Sequence, residues 1–264
     1  MRAPESILIT GASSGIGAAL ALHYARAGIS LALGGRDARR LEEVARSCRE
    51  RGSQAAATVI DVTDGDGMAA WIAATHRAAP LDLVIANAGI SAGTSGTPGA
   101  DGLLESRAQL AAIMAINVQG LMNTVEPALL EMSRRGAGQI ALMSSLASFR
   151  GFPGAPGYCA SKAMVRVWGE ALRPDYASRG IAINVICPGY VRSPMTDRNR
   201  FPMPFLMDVE RAALIIARGL ARNHARIVFP LRLYWILRLM AALPESILDR
   251  LMIRLPRKRL VETR

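Results

Sequence analysis

Short apolar runs alternate with amphipathic helical stretches along most of the chain. The runs rich in β-branched and aliphatic residues are Ser6–Thr10, Ile29–Leu33, Ala55–Ile60, Leu81–Ala86, Gln139–Met143, Ala182–Ile186 and Arg226–Phe229. Strands that alternate with helices indicate βαβ units, whose right-handed crossovers place parallel strands in one sheet buried on both faces. The pattern therefore predicts an α/β fold with a doubly wound, seven-stranded parallel sheet. A ligand is expected beyond the carboxyl ends of its strands.

Length and composition agree with such a fold. The chain has 264 residues, of which 51% are hydrophobic, and a chain of this length buries about 70–75% of its unfolded surface. This composition argues against a disordered protein and against a fibrous one. We therefore expect a large packed core.

The spacing of cysteine and histidine argues against a metal site and against a disulfide framework. Cys48, Cys159 and Cys187 are far apart, and the three histidines are scattered along the chain. Neither set has the spacing of zinc ligands, so we expect no metal and a reducing, cytoplasmic environment. The chain is already in an apolar strand at Ile7, so we expect no signal peptide before it.

A glycine-rich segment, Thr10–Gly17, joins the first strand to a helical stretch. Its glycines allow a tight turn and let the backbone approach a pyrophosphate, which the N–H groups at the start of the helix would bind. Glycine-rich loops also form ordinary turns, but a strand before the loop and a helix after it favour a dinucleotide site. The candidate cofactor residues of this loop are Thr10, Gly11, Ser13, Ser14, Gly15, Ile16 and Gly17.

The end of the second strand, Gly35-Arg36-Asp37, indicates which dinucleotide is bound. It lies about 20 residues beyond the glycine-rich loop, where dinucleotide folds meet the adenosine ribose. Gly35 offers no carboxylate for a ribose 2′-hydroxyl, whereas the guanidinium group of Arg36 can hold a 2′-phosphate. The sequence thus favours NADP(H). Two alternatives remain: Arg36 only begins a solvated helix face, or Asp37 binds the ribose of NAD.

Tyr158 and Lys162 form the candidate catalytic pair. They are four residues apart on a predicted helix and share one face, where the ammonium group would lower the pKa of the phenol from its ordinary value near 10. A phenol tuned in this way acts as a general acid or base on a carbonyl oxygen. Lys162 is one of two lysines in the chain, so this spacing rarely arises by chance. Ser145, at the end of the fifth strand, would face the same crevice, although a serine there is most often a turn residue.

Together these segments resemble the short-chain dehydrogenase/reductase superfamily in its compact form, over about residues 7–229. The matching segments are the Thr10–Gly17 loop, Asp61-Val62, Asn87-Ala88-Gly89, Asn117, Ser145, Tyr158-x-x-x-Lys162 and Pro188-Gly189. The resemblance implies a Rossmann-type catalytic domain over residues 1–229. It also implies an oxidoreductase that transfers a hydride between NADP(H) and a carbonyl compound or alcohol.

The resemblance assigns a role to each matching residue. It implies that Tyr158 is the general acid or base, that Lys162 lowers its pKa and holds the nicotinamide ribose, and that Ser145 polarises the substrate oxygen. Asn117 would keep a water for proton relay. The other implied cofactor residues are Asp61 and Val62 at the adenine, Asn87, Ala88 and Gly89 between the central strands, and Pro188, Gly189, Val191 and Ser193 near the nicotinamide carboxamide. Family precedent also implies a dimer or tetramer built on the helices that carry Asn117 and Tyr158.

The segment Met195–Met207 lies where this family places a substrate lid. Phe201, Met203, Phe205 and Met207 offer adaptable apolar contact, which favours a lipophilic substrate. The alternative is that these side chains only cover the core.

Residues 230–264 form a C-terminal extension beyond the resemblance. Residues 218–264 carry 11 Lys and Arg against three Asp and Glu, which is most of the net charge of +11. The apolar stretches Leu231–Leu243 and Ile247–Leu255 predict amphipathic helices. Both are shorter than the roughly 20 residues of a membrane-spanning helix.

A cationic amphipathic hairpin with Tyr234 and Trp235 suits the surface of an anionic membrane. The alternatives are packing on a second subunit or on the core beside the active site. The basic residues that would meet lipid headgroups are Arg250, Arg254, Arg257, Lys258 and Arg259.

Two other functions compete with an enzyme. A sensor or scaffold that binds the cofactor without catalysis would not need Asn117, Ser145, Tyr158 and Lys162 together. A nucleic-acid binder that uses the basic extension would need a recognition motif, which the sequence lacks. We therefore expect an enzyme without a nucleic-acid partner.

Overall fold

The computed structural model describes residues 3–91, 105–197, 199 and 201–253. In this part of the chain, seven parallel strands form one sheet in the order β3-β2-β1-β4-β5-β6-β7. The strands are β1 (Ser6–Thr10), β2 (Ser30–Gly35), β3 (Gln54–Val59), β4 (Leu83–Ala86), β5 (Gly138–Met143), β6 (Ile181–Pro188) and β7 (Arg226–Phe229). Each overlaps one of the predicted runs, so the predicted doubly wound α/β fold is confirmed.

Helices fill the connections between the strands and cover both faces of the sheet. They are α1 (Gly15–Tyr24), α2 (Ala38–Glu50), α3 (Gly65–Ala78), α4 (Arg107–Met114), α5 (Gly120–Arg135), α6 (Pro156–Ala177), α7 (Pro194–Asp197), α8 (Val209–Ala221), α9 (Leu231–Met240) and α10 (Glu245–Ile253). A 3₁₀ turn, Leu146–Ser148, follows β5, and a π-helical turn, Ala115–Gln119, joins α4 to α5. Such π turns are frequent at functional sites, and this one carries Asn117.

Side chains alternate along the strands and pack into two separate cores, one on each face of the sheet. On β1, Ile7 and Ile9 belong to the core beneath α1, α2 and α8, whereas Leu8 belongs to the core beneath α3, α5 and α6. All three side chains are fully buried, as expected for a parallel strand that is covered on both faces. The two cores fix the sheet as a rigid support for the loops at its edge.

The strand order reverses beside β1. The chain runs outward from β1 through β2 to β3 and then crosses to β4 on the other side of β1. The loops after β1 and β4 therefore diverge and leave a crevice at the carboxyl edge of the sheet. The predicted site residues lie at the strand ends and loops that open into this crevice, at the start of α1, on the π turn and on α6.

The extension is helical over the residues that the structure describes. Leu237 of α9 packs in a small third core with Leu146, Val185 and Cys187, so one face of α9 is covered. No described helix is both long and apolar enough to cross a bilayer. The basic residues Arg254, Arg257, Lys258 and Arg259 lie outside the described part of the chain.

Candidate active site

The loop between β1 and α1 has the backbone that a dinucleotide phosphate needs. Gly11 and Gly15 have φ angles of 65° and 54°, a region that favours glycine. A Cβ on Gly11 would lie 2.9 Å from the Cα of Ala88, and a Cβ on Gly17 would collide with the carbonyl oxygen of Gly11. Ser14 precedes α1 without capping it through its hydroxyl. The N–H groups of the first helical turn therefore keep their capacity to bind a phosphate.

Hydrogen bonds between Thr10 and Asn87 join β1 to β4 at the crevice. The Thr10 hydroxyl accepts from the N–H groups of Asn87 and Ala88, at 3.1 and 3.3 Å. Nδ2 of Asn87 donates to the carbonyl groups of Thr10 and Gly11, at 3.0 and 3.2 Å. These bonds hold the glycine-rich loop against the neighbouring strand, which agrees with the structural role implied for Asn87 and Ala88.

The charged residues after β2 have different surroundings. Arg36 is 64% exposed, and its Nη1 lies 3.7 Å from Oδ2 of Asp61. Asp37 instead caps α2, because its carboxylate accepts from the N–H of Arg40 at 2.9 Å and from Nε of Arg40 at 2.6 Å. The hydrogen bond from the Arg40 N–H also lowers the pKa of Asp37. Asp37 is thus occupied by the helix, whereas Arg36 lies at the rim of the crevice.

The pair Asp61-Val62 follows β3 on the same side. The carboxylate of Asp61 accepts from the N–H and the hydroxyl of Thr63, at 2.9 and 2.8 Å, and the N–H bond lowers the pKa of Asp61. Val62 is buried against Gly120, and its carbonyl accepts from Nδ2 of Asn123 at 2.9 Å. The pair therefore has a fixed backbone and presents a carboxylate beside Arg36.

Ser145 and Tyr158 meet at the carboxyl end of β5. Oγ of Ser145 accepts from the N–H of Ala147 at 3.1 Å and donates to the carbonyl of Pro188 at 3.4 Å. The phenol of Tyr158, in the first turn of α6, lies close enough to this hydroxyl for Ser145 to oppose the rise of its pKa. The structure therefore brings the two hydroxyl groups together although they are 13 positions apart in the sequence.

Lys162 lies one helical turn beyond Tyr158 and is buried. Its Nζ donates to the carbonyl of Met143 at 2.9 Å and lies 5.9 Å from the centre of the Tyr158 ring. A Cβ on Gly89 would stand only 3.2 Å from this Nζ, so the glycine leaves the space that the lysine needs. The predicted helical spacing does place Tyr158 and Lys162 on one face.

Asn117 is fully buried beside this lysine. Its Nδ2 donates to the carbonyl of Ile90 at 2.9 Å and to Oγ of Ser161 at 3.0 Å. Its Oδ1 accepts from the N–H of Ile90 at 2.7 Å. The π turn thereby ties the loop after β4 to α6, and one lone pair of Oδ1 remains for a further donor.

Burial controls the protonation of the candidate catalytic pair, Tyr158 and Lys162. It raises the pKa of Tyr158 to about 12, although Ser145 opposes this rise. Burial also lowers the pKa of Lys162 to about 8. The lowering of the Tyr158 pKa that the spacing predicts is therefore not found, because an apolar interior disfavours both charged forms. At neutral pH the phenol carries its proton.

The segment after β6 crosses the crevice. Val191 pairs with Met207 in an isolated bridge. Oγ of Ser193 accepts from the N–H of Thr196 at 3.3 Å, and a Cβ on Gly15 would lie 3.2 Å from the Cβ of Ser193. The segment after Pro188-Gly189 thus reaches the glycine-rich loop and partly covers the space between them.

Comparison with known proteins identifies the family. The family model described as short chain dehydrogenase matches residues 5–202. The chain belongs to the short-chain dehydrogenase/reductase superfamily. An uncharacterized oxidoreductase of Myxococcus xanthus is 37% identical over 246 residues, which are 93% of this chain and 95% of the relative. The 2-(R)-hydroxypropyl-CoM dehydrogenase of Xanthobacter autotrophicus is 35% identical over 205 residues, 76% of this chain and 80% of that enzyme.

Solved structures agree with this assignment. A short-chain dehydrogenase from Sphingobium yanoikuyae in complex with NADPH has a TM-score of 0.77 and 25% identity, and the match covers 97% of this chain and 98% of that one. A short-chain dehydrogenase/reductase from Burkholderia phymatum in complex with NAD has a TM-score of 0.80 at 24% identity, over 93% and 95% of the two chains. This short-chain dehydrogenase/reductase is therefore an oxidoreductase that uses a nicotinamide cofactor and a small-molecule substrate. The glycine-rich loop, with positive φ angles at Gly11 and Gly15 and a close backbone approach at Gly17, fits such a cofactor.

The sequence did not predict three side chains at the site. A carboxylate oxygen of Glu105 accepts from the N–H of Gly157 at 3.0 Å, at the start of α6. The ring of Tyr190 meets Phe201 edge-on, with 6.0 Å between their centres, and Phe149 packs behind the Ser145 turn. Of these three, only Tyr190 could have been found from the sequence, because it directly follows the Pro188-Gly189 pair of the family pattern. The other two contact residues far away in the sequence.

Proposed function

We propose that this short-chain dehydrogenase/reductase reduces a lipophilic carbonyl compound with NADPH. The observation that carries the proposal is the convergence of Ser145, Tyr158 and Lys162 at the crevice, with the phenol protonated at neutral pH. The test follows NADPH absorbance with ketones, aldehydes and quinones of graded hydrophobicity. If the protein binds NADPH but oxidises it with none of them, the alternative of a non-catalytic sensor or scaffold is favoured.

Reduction adds a hydride to the carbonyl carbon and a proton to its oxygen. The nicotinamide cofactor supplies the hydride when it is bound. The Tyr158 hydroxyl donates the proton, since the phenol is protonated at neutral pH. The Ser145 hydroxyl, which lies near that phenol, holds the carbonyl oxygen in place. In the direction of alcohol oxidation, the deprotonated Tyr158 oxygen accepts the proton of the alcohol hydroxyl, which Ser145 again holds in place.

Lys162 and Asn117 serve the return of the proton to Tyr158. With a pKa of about 8, Lys162 gives up a proton more readily than an ordinary lysine does. Its ammonium group also suits the ribose hydroxyls of the cofactor. The remaining lone pair of Asn117 Oδ1 is available to a water, which would connect Lys162 to solvent.

The surroundings of Arg36 and Asp37 support a preference for NADP(H). The Asp37 carboxylate is bound twice by Arg40, so it competes poorly for a ribose hydroxyl. Arg36 is exposed at the rim beside Asp61, where its guanidinium group can meet a 2′-phosphate. We assign the adenosine end of the cofactor to Arg36, Asp61 and Val62.

Arg36→Ala should therefore remove most of the preference for NADPH over NADH. A charge-assisted contact contributes about 1.5–3 kcal/mol, so NADPH affinity should fall by roughly 10- to 150-fold while NADH affinity changes little. Fluorescence titration of both cofactors measures this. Arg39→Ala is the matched control, since Arg39 is 78% exposed, close in sequence and paired with Glu43. Equal affinities for the two cofactors in the wild-type protein would overturn the preference.

The apolar side chains near Tyr158 support a lipophilic substrate. Tyr190 lies close enough to Tyr158 to contribute to its raised pKa, and its ring contacts Phe201. Two other predicted lid residues have different surroundings: Met207 packs on the core, and Phe205 is 43% exposed. Phe201 and Tyr190 are thus the aromatic surfaces that we assign to the substrate.

A second copy of the chain is the partner that α5 and α6 suit best. Leu130 on α5 and Val167 on α6 are 53% and 54% exposed. Trp168 and Tyr176 line the groove between these helices. Exposed apolar patches of this kind mark association surfaces, in agreement with the dimer or tetramer that the family precedent implies. The molar mass in solution tests this assignment.

The outer face of α9 supports contact with an anionic membrane surface. Leu231, Trp235 and Leu239 follow one another at four-residue spacing and are 59%, 59% and 69% exposed. Arg232 and Arg238 lie on the same helix and are exposed. A symmetric contact between two copies of this face would bring like charges together, whereas lipid phosphates neutralise them. The cytoplasmic location expected from the cysteines remains a prediction.

The double substitution Trp235→Ser and Leu239→Ser should weaken binding to anionic vesicles by about tenfold or more. Each large apolar side chain that leaves water contributes about 1.5–3 kcal/mol, and this part does not depend on salt. Co-sedimentation with anionic and with neutral vesicles, at low and high salt, measures the effect. Val59→Ser is the control, because Val59 is 61% exposed on β3. If the wild-type protein does not sediment with anionic vesicles at low salt, the membrane assignment is wrong.

A further inference from the structure

Ser145 stands at the start of a short turn that Phe149 closes. The Ser145 hydroxyl accepts from the N–H of Ala147. The N–H of Phe149 donates to the carbonyl of Leu146 at 3.2 Å. The direction of the serine hydroxyl therefore depends on how firmly this turn is held from behind.

The ring of Phe149 is held by charged side chains from two other elements. The guanidinium carbons of Arg166 on α6 and Arg226 on β7 lie 4.8 and 5.4 Å from its centre. Glu170 pairs with both arginines, at 3.0 and 2.7 Å, which fixes them against the ring. These three charged side chains are only 20–33% exposed, and cation–π contacts strengthen away from water.

Tyr234 completes this enclosure from the C-terminal extension. Its ring meets the ring of Phe149 edge to face, with 5.1 Å between the centres and an angle of 74°. This is a favoured geometry for two aromatic rings. Tyr234 thus links α9 to the turn that carries Ser145.

The same face of α9 also approaches Gly189, the residue that follows a hydrogen-bond partner of Ser145. Cδ2 of Leu233 lies 3.2 Å from the position that a Cβ on Gly189 would take. The preceding carbonyl, of Pro188, accepts from the Ser145 hydroxyl. Tyr234 therefore contacts the turn of Ser145, and Leu233 of the same helix lies beside the Pro188-Gly189 segment.

We propose that Tyr234 is a positioning residue that holds Ser145 in its productive orientation through Phe149. The inference rests on the proposed function, in which Ser145 orients the substrate carbonyl. Tyr234 does not touch the reacting atoms, so its loss changes the rate of the reaction and leaves cofactor binding intact. The first helix of the extension then supports the active site from behind.

Three single variants test the proposal in the full-length protein. Tyr234→Ala should lower kcat on the order of 10- to 100-fold, because small displacements of an orienting group are costly, with the KM for NADPH unchanged. Tyr234→Phe keeps the ring contact, so its kcat should stay close to that of the wild-type protein. Ile236→Ala is the matched control on the same helix, since Ile236 is 46% exposed and makes no part of the enclosure.

One further measurement separates positioning from general destabilisation. Hydrogen exchange should quicken at the N–H groups of Ala147 and Phe149 in that variant, with or without catalytic activity. Unchanged exchange at this turn overturns the proposal, and so does faster exchange with an unchanged kcat. If the wild-type protein reduces no carbonyl compound but exchange at this turn is faster in Tyr234→Ala, the proposed function is refuted. The support of the Ser145 turn by Tyr234 then still stands.

Discussion

Tyr158→Phe should reduce turnover of a carbonyl substrate by about 10²- to 10⁴-fold while NADPH still binds. The substitution removes only the hydroxyl that donates the proton, and the aromatic ring that fills the space remains. Because the loss falls on a group used in the transition state, kcat should fall and the affinity for NADPH should stay within a few-fold. Stopped-flow reduction and fluorescence titration of NADPH measure the two quantities separately.

Tyr176→Phe is the control for this substitution. Tyr176 lies on the same helix and stacks with Arg179 at 5.2 Å, near the far end of α6 from the crevice. Its variant should keep the wild-type rate. If Tyr158→Phe retained more than about a tenth of the activity, the role that general acid catalysis assigns to this hydroxyl would be wrong.

Lys162→Met should abolish turnover and yet stabilise the cofactor-free protein. Burial lowers the pKa of Lys162 from 10.5 to about 8. At 1.36 kcal/mol per pKa unit, the charged ammonium group therefore destabilises the folded protein by about 3 kcal/mol relative to an exposed one. The variant also loses the hydrogen bond to the Met143 carbonyl, which offsets about 1 kcal/mol or somewhat more of this gain in stability. The free energy of unfolding near neutral pH should therefore rise by about 1–2 kcal/mol in the variant. Urea denaturation without cofactor measures it.

The pH dependence of this stabilisation has a definite sign. Between about pH 8 and 10.5 the unfolded wild-type chain keeps the Lys162 proton and the folded protein has lost it. Wild-type stability therefore rises with pH across this window relative to the variant, by up to about 1.4 kcal/mol per pH unit. The advantage of Lys162→Met should be full below about pH 8 and shrink above it. A constant difference between the two proteins from about pH 7 to 10 contradicts the buried ammonium group.

The order of elements and much of the site could be predicted from local pattern. Buried parallel strands appear in a sequence as short apolar runs, and each predicted run overlaps a strand of the sheet. The glycine-rich loop lies between a strand and a helix, where positive φ angles at Gly11 and Gly15 require glycine. Tyr158 and Lys162 share a helical face because four residues make about one turn.

The protonation of these groups could not be predicted in the same way. The spacing of Tyr158 and Lys162 predicted a lowered phenol pKa, but burial raises the pKa, and the group that opposes the rise is Ser145. Burial depends on every element packed around the pair, which a spacing of four residues does not contain. Likewise, the sequence left Asp37 as a possible ligand of the NAD ribose. Only the folded helix shows that its carboxylate is bound to Arg40.

The sequence by itself determined the doubly wound sheet, the dinucleotide loop and the positions of Ser145, Tyr158 and Lys162, because each depends on periodicity or on neighbouring residues. Only the tertiary structure decided which side chains support them. Phe149, Arg226 and Tyr234 come from three distant segments and meet at one ring. It also decided that Leu237 of α9 faces the core while Trp235 faces outward. An amphipathic pattern fixes two faces of a helix, but the surface against which the helix packs decides which of them is buried.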